Sequence, residues 1–264
     1  MKILILSDAN SIHTYRWVKS LKDNGLDIEI FSFFKDDKQF SPSYKSLGVN
    51  VTISNVNKFI LYKYRRNITK IFYLFALRKL KKTIKRFNPE LIHAHYLTSY
   101  GILAKLSGFN PYCISIWGDD VFLPTNNFIL KNLLLSSLKN AQQLFSTSDV
   151  INRFVNNQFG LATKIIPFGV DTKFFKPLNR KKNNPIIIGI IKSIEQHNGI
   201  EFLIEAFNIL IKKKINNIQL NIVGVGSLEN KLKKMVKAYD LENEVNFFGY
   251  VSHQNIVPHY QKLS

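Results

Sequence analysis

Three short stretches carry residues that could do chemistry. The first reads SDANSIHTYRW and places His13 and Arg16 just after a short apolar run. If a helix begins there, its free N–H groups and positive dipole end suit a phosphate. With Asn10 or Ser11 as cap, His13 is equally well an exposed side chain on a capped helix. The second stretch, HAHYLTSYG, spaces His93 and His95 two residues apart. On a strand both rings lie on one face, as a zinc pair would require, but no third or fourth ligand follows at useful spacing. The third, WGDDVF, ends an apolar run at Trp117 and permits a turn at Gly118. It puts Asp119 and Asp120 where a substrate hydroxyl could be held, although adjacent carboxylates also cap turns.

The elements that must position these groups alternate. Strands are expected at 2–7, 27–34, 49–54, 91–94, 112–117, 143–147 and 164–168, and helices at 12–24, 98–107, 128–139 and 149–159. Apolar strands between helices imply a parallel sheet covered on both faces. Residues 1–175 therefore read as a doubly wound, Rossmann-like α/β domain, whose ligands bind at the carboxyl ends of the strands. Residues 176–185, KPLNRKKNNP, are polar and contain two prolines, and read as a linker. The rhythm restarts with strands at 186–191, 218–223 and 245–248 and helices at 200–211, 228–239 and 255–262. Three strands leave an unpaired edge, so 186–264 is expected to be an incomplete second Rossmann-like domain.

Composition narrows the class. Hydrophobic residues at 45% and aromatic residues at 13% exclude a disordered chain. The single Cys113 excludes a disulfide scaffold and a cysteine-based metal site. MKILILS is too short for the apolar part of a signal peptide, and no run reaches the ~18 uncharged apolar residues that span a bilayer. A cytoplasmic location is the expectation.

The 37 Lys and Arg outnumber the 18 Asp and Glu, giving a net charge of +19. Residues 38–89 hold 13 of those cations and no acid. A compositional preference for Lys explains 30 Lys against 7 Arg, but not the missing acids. A nucleic-acid surface favours Arg for bidentate contacts, and no nucleic-acid motif is present, so no nucleic-acid partner is expected. An anionic membrane face fits better. Leu77, Leu80, Ile84 and Phe87 form one helical stripe, with Arg78, Lys81, Lys82 and Lys85 opposite. A second stripe, Ile68, Ile71, Phe72 and Phe75, points elsewhere and suits an interfacial helix.

The strings SIHTYRW, PELIHAHY, SIWGDDVF and IIPFGVDTKFFKP occur in the order and spacing of a known family. So do IGIIKSIEQHNGIEFLIEAF, LNIVGVGSLENKLKKMV and VNFFGYVSHQNIVPHYQKLS. Together they resemble the family-4-type retaining glycosyltransferases (glycosyl transferases group 1) with the GT-B fold, over essentially the whole chain. The resemblance implies a GT-B-like fold whose first domain holds the acceptor and whose second holds the donor. It implies transfer of a sugar from a nucleotide-diphosphate sugar, a co-substrate rather than a cofactor, with retained configuration and no obligatory metal.

Residue roles follow from the same resemblance. Lys192 falls at the first of two basic phosphate-binding positions, and His197, before Asn198 and Gly199, stands at the second. Gly224 and Gly226 belong to the donor side, and His13 approaches the donor phosphate from the other domain. Asp120 contacts the reacting sugar or acceptor. Trp117 replaces a histidine that many relatives carry, and His95 is either catalytic or structural. Arg16, Trp117, Asp119, Gly169 and Asp171 are implied at the acceptor side or between domains.

The family's pair of glutamates eight positions apart and its closing helix are not found before Ser264. The expectation is therefore a fragment with an incomplete donor site. The whole enzyme would act on a glycan or lipid-linked acceptor in bacterial-type surface polysaccharide or glycolipid synthesis, at an anionic membrane surface. The alternative is a non-catalytic, membrane-associated accessory protein with a vestigial donor domain. A sugar-nucleotide epimerase shares the architecture, but FGVDTKFF and HAHY argue against it.

Overall fold

The computed structural model describes residues 1–33, 44–54, 69–118, 121–122, 128–178, 185–215 and 217–264. The chain divides into two compact units, Met1–Gly169 and Val170–Ser264.

In the first unit, β1 (Lys2–Leu6), β2 (Asp27–Ser32), β3 (Asn50–Ile53), β4 (Leu91–His95), β5 (Tyr112–Ile116), β6 (Gln143–Ser146) and β7 (Lys164–Ile165) form a seven-stranded sheet in the order β3-β2-β1-β4-β5-β6-β7. Every pair is parallel. The order reverses between β1 and β4, the place where open α/β sheets take their ligands. Alternation along the strands sorts two cores. Leu4, Leu6, Ile92, Ala94, Ile114 and Ile116 pack on α2 (Thr69–Phe87), α3 (Ile102–Ser107) and α4 (Phe128–Lys139). Ile3, Ile5, Ile28 and Ile30 face the other way, toward Val18 of α1 (Ile12–Asp23). His93, in register with Ile5, and His95 occupy the out-of-phase positions of β4 and so lie on the α1 side.

Two expectations need correction here. The helix expected from residue 98 opens as a π-helical turn, Tyr96–Gly101, and becomes α-helical at Ile102. Gly101 permits that tight turn, since a Cβ there would stand 3.3 Å from Ile114. The last strand stops at Ile165, because Pro167 cannot donate a ladder hydrogen bond. Helix α5 (Asp149–Phe159) begins as expected, with the Ser148 hydroxyl accepting from Ile151 N–H, and ends at Gly160 in the left-handed region.

The second unit pairs β8 (Ile186–Ile191), β9 (Ile218–Val223) and β10 (Val245–Phe247) in parallel, in the order β10-β9-β8. Helices α6 (Ile200–Lys212) and α7 (Glu229–Ala238) bury Ile204, Phe207, Leu232 and Val236 on Leu220 and Ile222. The final helix is split into a 3-10 turn, His253–Asn255, and α8 (Val257–Gln261), where Pro258 suits a helix start. The boundary also moves. Residues 170–175 belong to the second unit, where Phe174 stacks on His253 and Phe175 meets Tyr260 edge-on.

Candidate functional site

In the first unit the candidate groups gather at the carboxyl ends of β1, β4 and β5. Ser11 begins α1 with an extended backbone and no side-chain cap bond, so His13 lies in the first turn. Its ring stacks on Phe168 at 3.9 Å and meets Trp117 edge-on at 6.1 Å. Trp117, buried at the end of β5, lies 4.1 Å from the His95 ring. His95 and His93 are 4.7 Å apart, with Trp17 of α1 packed against both.

Hydroxyl groups orient these rings. His93 Nε2 and Ser115 Oγ share a 2.8 Å hydrogen bond, while His95 Nδ1 lies 3.0 Å from Ser7 Oγ, itself 2.7 Å from Thr14 Oγ1. His95 Nε2 and His13 Nδ1 are buried without a hydrogen-bond partner among the described residues. Burial pulls His93 down to about 4 and His95 well below the usual imidazole value. The nearby His93 lowers His95 further. His13 is lowered first by burial and then by the Arg16 charge. All three rings are therefore neutral near pH 7, and can exchange a hydrogen bond rather than hold an anion by charge.

Beside this cluster, a cavity of about 340 Å³ runs between α1 and the segment after β7, lined in part by His13, Arg16, Trp17, Phe168 and Gly169. Arg16 is the cation in it. The structure thus brings together His13, Arg16, Trp117, His95 and Gly169. Asp119 and Asp120 lie outside the described residues. Asp171 belongs to the second unit, where its Oδ1 accepts from the N–H groups of Lys173 and Phe174, so its carboxylate closes its own turn.

The second unit builds its site from the loops after β8 and β9. Lys192 N–H donates to Val223 O and Ile194 N–H to Val225 O, extending the β8–β9 pairing past the strands. Glu195 closes the outer end by accepting from both the hydroxyl and the N–H of Ser227, at 2.6 and 3.1 Å. Those two bonds hold its carboxyl below the usual range. Asn198 clips back to Ser193 O and Oγ, and Gly199 starts α6 in the left-handed region.

This leaves the Lys192 and His197 side chains exposed on one joined pair of loops. Gly224 and Gly226, expected as donor-side glycines, have a reason of their own in the backbone. A Cβ on Gly224 would collide with Lys192 O and one on Gly226 with Ile194 O. Sequence reading missed Ser7, Thr14, Phe168, Glu195 and Ser227. Of these only Glu195, three residues after Lys192, carried any local signal.

Residues 2–148 match a family model described as glycosyl transferase 4-like, and residues 171–264 match one described as glycosyl transferases group 1. Comparison with curated proteins returns no match. Among solved structures, sucrose-phosphate synthase from Thermosynechococcus elongatus superposes with a TM-score of 0.77 at 16% identity, over 100% of this chain and 74% of that one. A glycosyltransferase from Rickettsia africae gives 0.74 at 17% identity, over 100% and 71%. Anabaena HepE in complex with UDP gives 0.71 at 16% identity, over 95% and 70%. At these identities the likeness to the solved structures is one of fold.

Proposed function

Because this chain belongs to the glycosyl transferase 4-like family, with a GT-B fold, we propose that it transfers a sugar from a nucleoside-diphosphate sugar to a glycan or lipid-linked hydroxyl, retaining the anomeric configuration. Surface polysaccharide or glycolipid synthesis on the cytoplasmic side is the setting this reading favours.

The observation that carries the reading is the joined pair of loops after β8 and β9. Their backbones are zipped by two hydrogen bonds and by Glu195, and Lys192 stands exposed upon them. A cation carried on a loop whose backbone is held suits a diphosphate. In the transfer, the bond from the anomeric carbon to the diphosphate oxygen breaks and its electron pair stays with the diphosphate. The acceptor oxygen bonds that carbon as its proton passes to the departing diphosphate oxygen. Lys192 stabilises the charge that builds on the leaving group, the term that such sites supply most strongly. His197, exposed on the same loop, adds a hydrogen-bond donor. The complexes of Anabaena HepE with UDP and with UDP-glucose support a nucleotide-sugar partner.

The acceptor side is assigned to the first unit's cavity. Arg16 offers a charge to an acceptor bearing phosphate or carboxylate, and Phe168 and Trp117 offer aromatic faces to a sugar ring.

Amide NMR spectra of the chain, titrated with UDP-, GDP-, ADP- and dTDP-sugars, test the donor assignment. One nucleotide is expected to shift the amides of residues 192–199 and 224–228, and Lys192→Ala is expected to abolish those shifts. Spectra in which no nucleotide moves these amides would remove the basis for the proposal.

A further inference from the structure

Helix α2 spans Thr69–Phe87, and its side chains are described from Phe75 onward. Ala76, Leu80 and Thr83 are buried against the sheet, with Leu77, Ile84 and Phe87 partly covered beside them. At 3.6 residues per turn the rest of the helix surface between Phe75 and Phe87 belongs to seven residues. Six are cationic, Arg78, Lys79, Lys81, Lys82, Lys85 and Arg86, and all are exposed. The seventh is Phe75, 62% exposed, at the angle that Lys82, Arg86 and Lys79 surround. Core packing already uses the other face, so folding of this unit leaves the phenylalanine without cover among the described residues.

The charges are also unspent. Among the described residues, only Arg86 of the six forms an ion pair, with the buried Glu29. Glu90, just past the helix, faces the backbone N–H of Lys2 and the N-terminal ammonium instead. Nothing acidic on the helix itself offsets the face. A solvated helix surface ordinarily mixes both signs, whereas this one is uniformly basic around an aromatic residue.

We propose that this face of α2 docks on an anionic phospholipid bilayer, its lysines over the headgroup phosphates and Phe75 inserted at the acyl boundary. A helix that lies in the membrane plane needs cations on its flanks and a large apolar side chain between them. A nucleic acid is the weaker partner. Four of the six cations are Lys, Arg86 is committed to Glu29, and phosphate forks favour Arg. No helix among the described residues is long and apolar enough to cross a membrane, so this contact is peripheral. The inference rests on charge and exposure alone and stands apart from the sugar-transfer reading.

Flotation of the intact chain with vesicles tests it, using neutral phosphatidylcholine against the same lipid with about 30% phosphatidylglycerol. Binding is expected to the anionic vesicles only, and to weaken with added salt. Changing Lys81, Lys82 and Lys85 together to Ala should weaken it by about 100-fold, since each Lys at such a surface contributes roughly a fivefold factor. Phe75→Ser, which keeps every charge, should weaken it by about tenfold. All these positions are exposed, and unchanged circular dichroism confirms that the variants fold. Equal binding to neutral vesicles would overturn the proposal. So would anionic binding that Phe75→Ser leaves intact, or a single-stranded RNA that displaces the chain from vesicles and binds Phe75→Ser as well as the parent.

Discussion

A Cβ placed on Gly224 would stand 1.9 Å from the carbonyl oxygen of Lys192. The loop that presents the candidate phosphate-binding lysine is thus fixed by contact between two backbones, and Gly224 itself sits at φ +144°. Neither atom can yield without separating β8 from β9. Gly224→Ala is expected to destabilise the second unit by more than about 2 kcal/mol. Gly169→Ala, with nothing within 4 Å of its Cβ, should cost less than about 0.5 kcal/mol. Urea titration followed by circular dichroism compares the two, and equal shifts would argue against the backbone role.

The buried histidines make the first unit acid-sensitive. His93 is lowered to about 4 and His95 also lies below its ordinary 6.5. Below pH 6.5 the unfolded chain therefore takes up protons that the folded unit refuses. Stability is full above that pH and falls as pH drops toward about 4, by up to about 1.4 kcal/mol per pH unit for each histidine. Both tryptophans, Trp17 and Trp117, lie in this unit, so their fluorescence in guanidinium at pH 7 and pH 5 reads it directly. His93→Gln should flatten the slope, and a slope that it leaves unchanged would contradict the assignment.

Glu195 titrates in the opposite sense. The Ser227 hydroxyl and N–H lower its pKa from 4.5. The contribution is present above that value and lost as pH falls through the lowered one. Carbon-detected NMR of the carboxylate should show Ser227→Ala raising the Glu195 midpoint toward 4.5. A midpoint that stays put would mean that the two loops are not joined there.

Arg86 ties α2 to the sheet through Glu29, which is 3% exposed and also accepts from Thr52. Removing the guanidinium leaves a buried carboxylate with one hydroxyl. Arg86→Met should cost about 2 kcal/mol, and adding Glu29→Gln should restore part of it. Thermal melts of the single and double variants measure both, and additive losses would show that the pair is not coupled.

Much of this architecture was legible in the residues. Apolar runs such as Ile3–Leu6 and Ile186–Ile191 read as parallel strands, and Gly25 and Gly160 mark where helices stop. The unit boundary was less clear, because Phe174 and Phe175 read as the end of the first domain until His253 and Tyr260 supply their partners. The site was only half readable. His13, His95 and Trp117 were visible as types at strand ends, but the contact of His13 with Phe168 joins residues far apart in sequence. The Ser7 hydroxyl reaches His95 through strand register across 88 positions, which no local pattern encodes. Gly224 and Gly226, expected on the donor side, also answer to a close backbone crossing with Lys192 and Ile194 that no local pattern announces.

The transfer reaction itself decides the central claim. The chain would be incubated with the nucleotide sugar that shifts the 192–199 loop and a panel of glycan and lipid-linked acceptors, and followed by proton NMR of the anomeric signals. Acceptor-dependent release of nucleoside diphosphate is expected, with a product of the donor's anomeric configuration, and both are expected to be lost in Lys192→Ala. An inverted product, or release of nucleoside diphosphate that Lys192→Ala leaves undiminished, would contradict the proposed transfer.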